Sequence, residues 1–290
     1  MFEIINTQEL ATGIFETTIH APRVAKVALP GQFLIVRNDE HAERIPLTIA
    51  DCNPADGTVT IVTQALGVST KKITSKSKGE YFQDVTGPLG RPSEFVHMSD
   101  EELSNKRYIF IGGGVGTAPV YPQVKYLHDK GAKVDVIIGA KTKDMLIYTE
   151  RMKAVADNVY IATDDGSEGF HGLVTALLEK LIQEGKTYDE CVAIGPMIMM
   201  KFVSLTTKKF SLKCTVSLNA MMIDGTGMCG ACRVTIGGKM KFTCVDGPEF
   251  NAYEVDFDEA MRRSGMYRKE EAQALERFLE KNHKCNIGLR

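Results

Sequence analysis

The stretch Asp224-Gly-Thr-Gly-Met-Cys229-Gly-Ala-Cys232, with Cys244 after eleven intervening residues, gathers three of the chain's seven cysteines beside an aspartate. Where thiols stay reduced, such clustering points to metal or redox chemistry rather than to disulfides. Plant-type [2Fe–2S] sites use C-x4-C-x2-C followed by a more distant cysteine. That spacing holds here with Asp224 in the first position. The glycines let a loop wrap a cluster and turn backbone N–H groups towards sulfur. Zinc is the rival, because C-x2-C also serves zinc, although no second C-x2-C or H-x3-H pair accompanies this one. The expected metal ligands are Asp224, Cys229, Cys232 and Cys244. Cys214 is an alternative to Asp224, but it lies in a strand-like stretch and is expected to pack, like Cys52, Cys191 and Cys285.

A second chemical signal follows the apolar run Arg107–Ile111, where GGGVGTAP places Gly112, Gly113, Gly114 and Gly116 between a strand and a helix. Backbone without Cβ atoms approaches a pyrophosphate closely, and a helix N-terminus favours its charge. The G-x-G-x-x-G fingerprint fails, since counting from Gly112 its third glycine position is Thr117. Thr163-Asp164-Asp165-Gly166 and Gly195-Pro196-Met197 end later strands, and ligands of open α/β sheets gather at such ends. Asp164 and Asp165 therefore read either as ligand contacts or as solvated turn formers. Lys141 and Lys143 after a neighbouring strand lean towards a 2′-phosphate and NADP. Earlier in the chain, Arg44-Ile45-Pro46-Leu47-Thr48 offers a guanidinium for phosphate and a hydroxyl for a ring edge. Gly67-Val68-Ser69-Thr70 offers N–H groups and hydroxyls to the same anion, and Gly87-Pro88-Leu89-Gly90 is a rigid turn.

Three kinds of element must position these groups. Residues 1–100 alternate short Val/Ile/Thr/Phe-rich stretches with turn residues, which predicts five or six strands in a small antiparallel barrel. Residues 101–210 alternate strands with helical patterns, among them a helix over 172–184 with Leu173, Val174, Leu177, Leu178, Leu181 and Ile182 on one face. This predicts a parallel sheet with helices on both faces. Residues 211–250 form a loop-rich segment around the cysteines, and 251–290 a tail whose helix carries Ala272, Leu275, Phe278 and Leu279 as its apolar stripe. A length of 290 residues suits two or three domains, and 43% hydrophobic with 25% charged residues suits a globular chain. With 35 basic against 37 acidic residues, a formal charge of −2 gives no field for nucleic acid or anionic membrane. The opening MFEIINTQEL lacks a basic-then-apolar pattern and no apolar run is long enough to span a bilayer, so a cytoplasmic location is expected.

In order along the chain, R-x-P-x-[ST], G-x-[ST]-T, GPLG and GGGxGxAP resemble the ferredoxin–NADP reductase superfamily. The resemblance implies an antiparallel FAD-binding β-barrel, a Rossmann-like NAD-binding α/β domain and, here, a small C-terminal [2Fe–2S]-binding segment with a helical tail. It implies that Arg44, Pro46, Leu47, Thr48, Gly67, Val68, Ser69 and Thr70 contact FAD, and that Gly113, Gly114, Gly116 and Thr117 contact the nicotinamide nucleotide, to which the strand-end position adds Asp164 and Asp165 as candidates. A reductase carrying this C-terminal cluster resembles dihydroorotate dehydrogenase electron-transfer subunits, which normally have four cysteines. Asp224 within VSLNAMMIDGTGMCGACRVTIGGKMKFTCVDGPEF is more similar to small subunits of NADH-dependent reduced ferredoxin:NADP oxidoreductases. That resemblance implies NAD(H) at this chain, against the lysine argument. It also implies a heterodimer with a larger flavo-iron–sulfur subunit through which ferredoxin is reached. No Ser–His–Asp set is needed, and none of the six histidines takes a role.

Overall fold

The computed structural model describes residues 1–287, with side-chain environments to residue 280. The first unit runs β1 (Phe2–Ala11), β2 (Ile14–His20), α1 (Pro22–Ala25), β3 (Phe33–Arg37), β4 (Arg44–Asn53), β5 (Thr58–Gln64), α2 (Val68–Thr74), β6 (Tyr81–Phe82) and β7 (Asp84–Leu89). Its antiparallel sheet has the order β6-β1-β2-β5-β4-β3-β7. Gln83 alone separates the two end strands in the chain, so a single residue spans the seam of a nearly closed barrel. The period-two pattern of β5 explains its orientation. Val59 and Ile61 are fully buried, while Thr58 and Thr60 are half-buried. Ile4, Ile19, Leu34, Ile49 and Phe82 fill the same interior.

The second unit begins with α3 (Asp100–Ser104), where Ser99 and Glu102 form a reciprocal capping box. It continues with β8 (Arg107–Gly113), α4 (Thr117–Asp129), β9 (Lys133–Ala140), α5 (Thr149–Lys153), β10 (Asn158–Thr163), β11 (Phe170–His171), α6 (Val174–Gln183), β12 (Glu190–Ile194), α7 (Met197–Lys209) and β13 (Lys213–Ser217). Then come β14 (Arg233–Ile236), β15 (Lys239–Phe242), α8 (Thr243–Asp246), β16 (Glu249–Asn251), α9 (Phe257–Ser264) and α10 (Arg268–Ile287). The sheet order β11-β10-β9-β8-β12-β13-β16 is parallel throughout, except that β16 runs antiparallel to β13. Strand order reverses beside β8, which opens the crevice where such sheets bind ligands. The sheet thus runs past residue 210, and residues 218–248 leave it between β13 and β16.

The apolar face of α6 is narrower than its sequence suggests. Val174, Leu177, Leu178 and Leu181 are buried, but Leu173 is 61% exposed because it is the extended residue that precedes the helix. Cys191 and Cys214 lie opposite each other on β12 and β13, wholly buried, as packing residues would. The expected role of Cys285 lies outside the described side chains. In α10, Leu275 and Phe278 are half-buried while Ala272 and Leu279 are exposed, and the helix runs beside α2.

Strands β14 and β15 form a hairpin turned at Gly237-Gly238, both in the left-handed region that such two-residue turns require. Met222, Cys232 and Cys244 pack with Phe33 and Ile35 of β3, so the cysteine segment rests directly on the barrel.

Candidate functional site

At the end of β8 the glycines serve distinct purposes. A Cβ on Gly113 would collide with Met199, and one on Gly116 with the backbone carbonyl of Ile194, so both let the turn pack against β12 and α7. Gly114 instead has φ +55 and open space around it, which leaves its backbone accessible to a ligand. Thr117 is wholly buried at the first turn of α4, and its Oγ1 has no protein partner. An orphan hydroxyl beside open backbone fits a bound nucleotide. Asp164 and Asp165 lie at the same carboxyl edge, two strands away. Asp165 Oδ1 accepts from Ser167 N at 3.0 Å and from Ser167 Oγ at 2.6 Å, which shapes the turn and holds its carboxyl below the usual range. Lys143 pairs with Glu168 at 3.4 Å, so its charge is already partnered.

The barrel motifs meet along β4 and α2. Pro46, Leu47 and Thr48 lie opposite Ile35, Leu34 and Phe33 of β3. Gly67 caps α2, and Thr70 Oγ1 accepts from the N–H groups of Leu66 and Gly67 at 3.0 Å each. Ser69 Oγ donates to Glu43. Val68 opens the helix, and apart from its chain neighbours nothing lies within 4 Å of a Cβ built on Gly67. Open space beside a hydroxyl-bearing turn fits a phosphate-containing cofactor. Arg44 has a further role that the sequence did not indicate. Its Nε donates to the carbonyl of Ile223 at 2.8 Å, its Nη2 to that of Asp224 at 3.4 Å, and Asp84 lies 3.7 Å from Nη1. Arg44 therefore ties the barrel to the cysteine loop. Sequence reasoning missed this, because no local pattern marks a partner 179 residues away.

In the cysteine segment, Cys232 Sγ and Cys244 Sγ lie 3.2 Å apart, both buried, while Cys229 is exposed. Backbone N–H groups are aimed at sulfur: Ala231 donates to Cys229 and Cys244 to Cys232, each at 3.5 Å. The N–H groups of Ala231 and Asp224 hold the Cys229 thiol below its usual range, whereas burial and then the Cys232 contact push Cys244 up to about 12. Two adjoining sulfurs, a third exposed thiol on the same loop and amide donors to Cys229 and Cys232 fit the chemistry of an iron–sulfur cluster. Asp224 Oδ2 accepts from Thr226 N at 2.8 Å, Thr226 Oγ1 at 2.5 Å and Met228 N at 3.3 Å. Its carboxylate thus folds the loop, and among the described residues no three His, Cys, Asp or Glu side chains already converge on one metal position.

A further group joins the three regions. Glu249 on β16 accepts through Oε1 from Ser93 Oγ, just after the barrel, and from Gln123 Nε2 on α4, both at 2.9 Å. Burial pushes its carboxyl up to about 7. The sequence signal for it was only its place directly after Gly247-Pro248.

Comparison with known proteins accords with this geometry. The iron–sulfur cluster binding domain of dihydroorotate dehydrogenase B matches residues 219–256, and the oxidoreductase NAD-binding domain matches 110–205. An uncharacterised protein of Clostridium beijerinckii is 55% identical over 94% of this chain and 93% of its own. A dihydroorotate dehydrogenase B (NAD(+)) electron transfer subunit homolog of Thermotoga maritima is 46% identical over 96% of this chain and 95% of its own. The dihydroorotate dehydrogenase B electron transfer subunit of Geobacillus thermodenitrificans is 33% identical over 87% of this chain and 96% of its own. A solved chain of the NADH-dependent reduced ferredoxin-NADP oxidoreductase is 43% identical, with a TM-score of 0.89 over 96% of this chain and 98% of that one. Among the described residues, no helix is long and apolar enough to cross a membrane. The chain belongs to the family of dihydroorotate dehydrogenase B electron-transfer subunits and their homologues, and is an NAD(H)-dependent flavo-iron–sulfur oxidoreductase subunit whose cofactors are FAD, NAD(H) and a [2Fe–2S] cluster.

Proposed function

We propose that this chain is the small subunit of an electron-bifurcating NADH-dependent reduced ferredoxin:NADP oxidoreductase, working in the cytoplasm as a heterodimer with a larger flavo-iron–sulfur subunit that reaches ferredoxin. The observation that carries this is the whole-chain likeness to that enzyme, 43% identical with a TM-score of 0.89 over 96% of this chain and 98% of that one. Asp224 in the position of a first cysteine supports the same choice.

When bound, FAD exchanges a hydride with NAD(H) and single electrons with an iron–sulfur centre, converting two-electron into one-electron traffic. The protein's part is to hold and orient. Arg44, Pro46, Leu47 and Thr48 on β4, with Gly67, Val68, Ser69 and Thr70 at α2, form the FAD side. Gly113, Gly114, Gly116 and Thr117 take the nicotinamide nucleotide, with Asp164 and Asp165 at the edge of the same crevice. Cys229, Cys232 and Cys244 supply thiolates to the cluster, with Asp224 as the fourth ligand. A carboxylate is a harder ligand than thiolate, so this substitution alters the potential of the site. Arg44, bonded to the carbonyls of residues 223 and 224, fixes the cluster loop against the FAD strand.

The second reading is an electron-transfer subunit of a dihydroorotate dehydrogenase, favoured by the domain match over residues 219–256. Anaerobic purification with the natural partner separates the two. The expected result is a partner carrying further flavin and iron–sulfur clusters, and NADPH oxidation that requires both ferredoxin and NAD. A partner that binds dihydroorotate and lacks additional clusters would defeat the proposal. A colourless preparation with one zinc and no FAD would defeat both redox readings and leave a zinc-stapled binding module.

A further inference from the structure

The contacts between the barrel and the α/β unit are polar at both ends and apolar between. On β2, Glu16 is 5% exposed and carries four hydrogen bonds. Arg151 of α5 grips it bidentately, Nη1 to Oε2 at 2.6 Å and Nη2 to Oε1 at 3.0 Å. Tyr148 donates its hydroxyl to Oε2, and Gln8 donates to Oε1 at 2.7 Å. These donors outweigh the burial, and the carboxyl is held below its usual range. The Arg151 guanidinium lies over the Tyr148 ring at 4.5 Å, and Tyr148 adopts φ 60. For a bulky residue such a backbone is an outlier that the surrounding contacts must enforce. Tyr148 meets Tyr121 of α4 edge to face at 5.6 Å. One turn along α4, Lys125 donates to Asp51 of β4 at 3.0 Å, back on the barrel. Between these ends, Ile14, Ala50 and Val62 of the barrel bury Ala118, with Val115 packed against them.

Val115 and Ala118 belong to the glycine turn and the first turn of α4, and Asp51 lies three residues beyond Thr48 on β4. The ring of contacts therefore joins the strand proposed to hold FAD to the helix that opens at the nucleotide turn. We infer that Glu16, Tyr148 and Arg151, with the Lys125–Asp51 pair, are positioning residues that set the distance between the nicotinamide and the flavin for hydride exchange. The inference rests on the functional proposal above. A buried carboxylate with a bidentate partner holds one geometry, where an apolar contact alone tolerates sliding. Hydride exchange is steep in distance, and an error of about 1 Å is enough to cost about a hundredfold in rate.

The test uses the cofactor-loaded full chain with its partner subunit. Glu16→Gln keeps the shape of the side chain and removes its charge. Expected are unchanged FAD and iron contents, an NADH affinity within about threefold, and a limiting rate of flavin bleaching by NADH lowered about tenfold or more. The long-wavelength charge-transfer band formed when NAD+ is added to the reduced protein weakens in parallel, without turnover. Arg151→Lys retains more of both than Arg151→Ala, and Lys125→Met gives a smaller loss in the same direction. If Glu16→Gln fails to fold, the Arg151 and Lys125 variants carry the test. An unchanged limiting rate and band in these variants would overturn the inference. So would a loss confined to FAD content with a normal rate per bound flavin. Failure of the wild-type protein to bleach with NADH defeats the functional proposal and this inference with it, and is distinguished because it appears before any substitution.

Discussion

The nucleotide turn and the cysteine loop are both rich in glycine, yet glycine answers different needs in them. At residues 112–116 the need is mainly for space. A Cβ on Gly112 would lie 2.8 Å from Thr117 Cα, and those on Gly113 and Gly116 would strike Met199 and the Ile194 carbonyl. Only Gly114 there has a positive φ. In the cysteine loop all three glycines need a left-handed backbone, with φ of +83, +85 and +65 at Gly225, Gly227 and Gly230; Gly225 also needs space, since a Cβ there would lie 2.5 Å from Ile35 Cδ1, whereas Gly230 needs conformation alone. The turn is thus braced by a sheet and two helices. The loop, without regular secondary structure between Leu218 and Cys232, is held by side-chain bonds from Asp224 and Arg44, with Arg263 Nη2 donating to Ala231 O at 3.0 Å. A site on packed elements resists substitution through sterics, and a site on a loop resists it through dihedral preference.

Substitutions can break this contrast, and Gly116→Ala has the largest expected effect. The added methyl meets backbone rather than a flexible side chain, so the variant loses about 3 kcal/mol in denaturant unfolding, and NADH binding fails before the cluster spectrum changes. Next is Glu249→Gln, at the seam where turn helix and cluster segment meet. The Glu249 carboxyl titrates at about 7 in the folded chain against 4.5 for an ordinary glutamate. The folded state therefore binds this proton more tightly, and stability falls as pH rises from 4.5 to 7, then stays low. The variant cannot titrate there and still offers an acceptor to Ser93 and Gln123. It is expected to match the parent at pH 4.5 and to exceed it by up to about 3 kcal/mol at pH 8, measured by urea unfolding. Equal differences at both pH values would show that the seam is not electrostatically loaded.

Third, Asp224→Ala removes the acceptor of three loop hydrogen bonds and the proposed fourth ligand. Cluster absorbance should decay several-fold faster while FAD stays bound; an unchanged cluster spectrum would move the fourth ligand elsewhere. The smallest effect is at Gly230, where a Cβ finds only Phe242 Cε1, at 3.6 Å. Gly230→Ala should cost about 1 kcal/mol of loop stability, and Gly230→Asn less, because asparagine tolerates the left-handed region. Equal losses for alanine and asparagine would mean that space, not φ, is limiting in the loop as well.

What the sequence disclosed was local. The strand–glycine–helix unit at 107–129 and the spacing of Cys229, Cys232 and Cys244 are short-range patterns. The strands of the barrel were legible because β-branched residues and turns alternate. Leu173 was misplaced onto the buried face of α6, since one residue of extended backbone before a helix breaks the 3.6 period without changing composition. The stripe of α10 was legible only in part, because Leu275 and Phe278 find half-cover and their neighbours none. The partners of Arg44, Glu16 and Glu249 were invisible. Each bonds across more than a hundred residues of chain, and no propensity encodes such distances.

The pairing of Ser217 with Glu249, antiparallel at the sheet edge, carries a consequence for how the molecule can be taken apart. Where the chain leaves the sheet and where it returns, the two strands are already neighbours. The redox loop is therefore topologically a swollen hairpin connection. In connectivity a short turn would close the gap left by its removal and keep the strand order of the nucleotide sheet, while the packing would lose Val234 and Ile236 from the α/β core and the cover over Phe33 and Ile35.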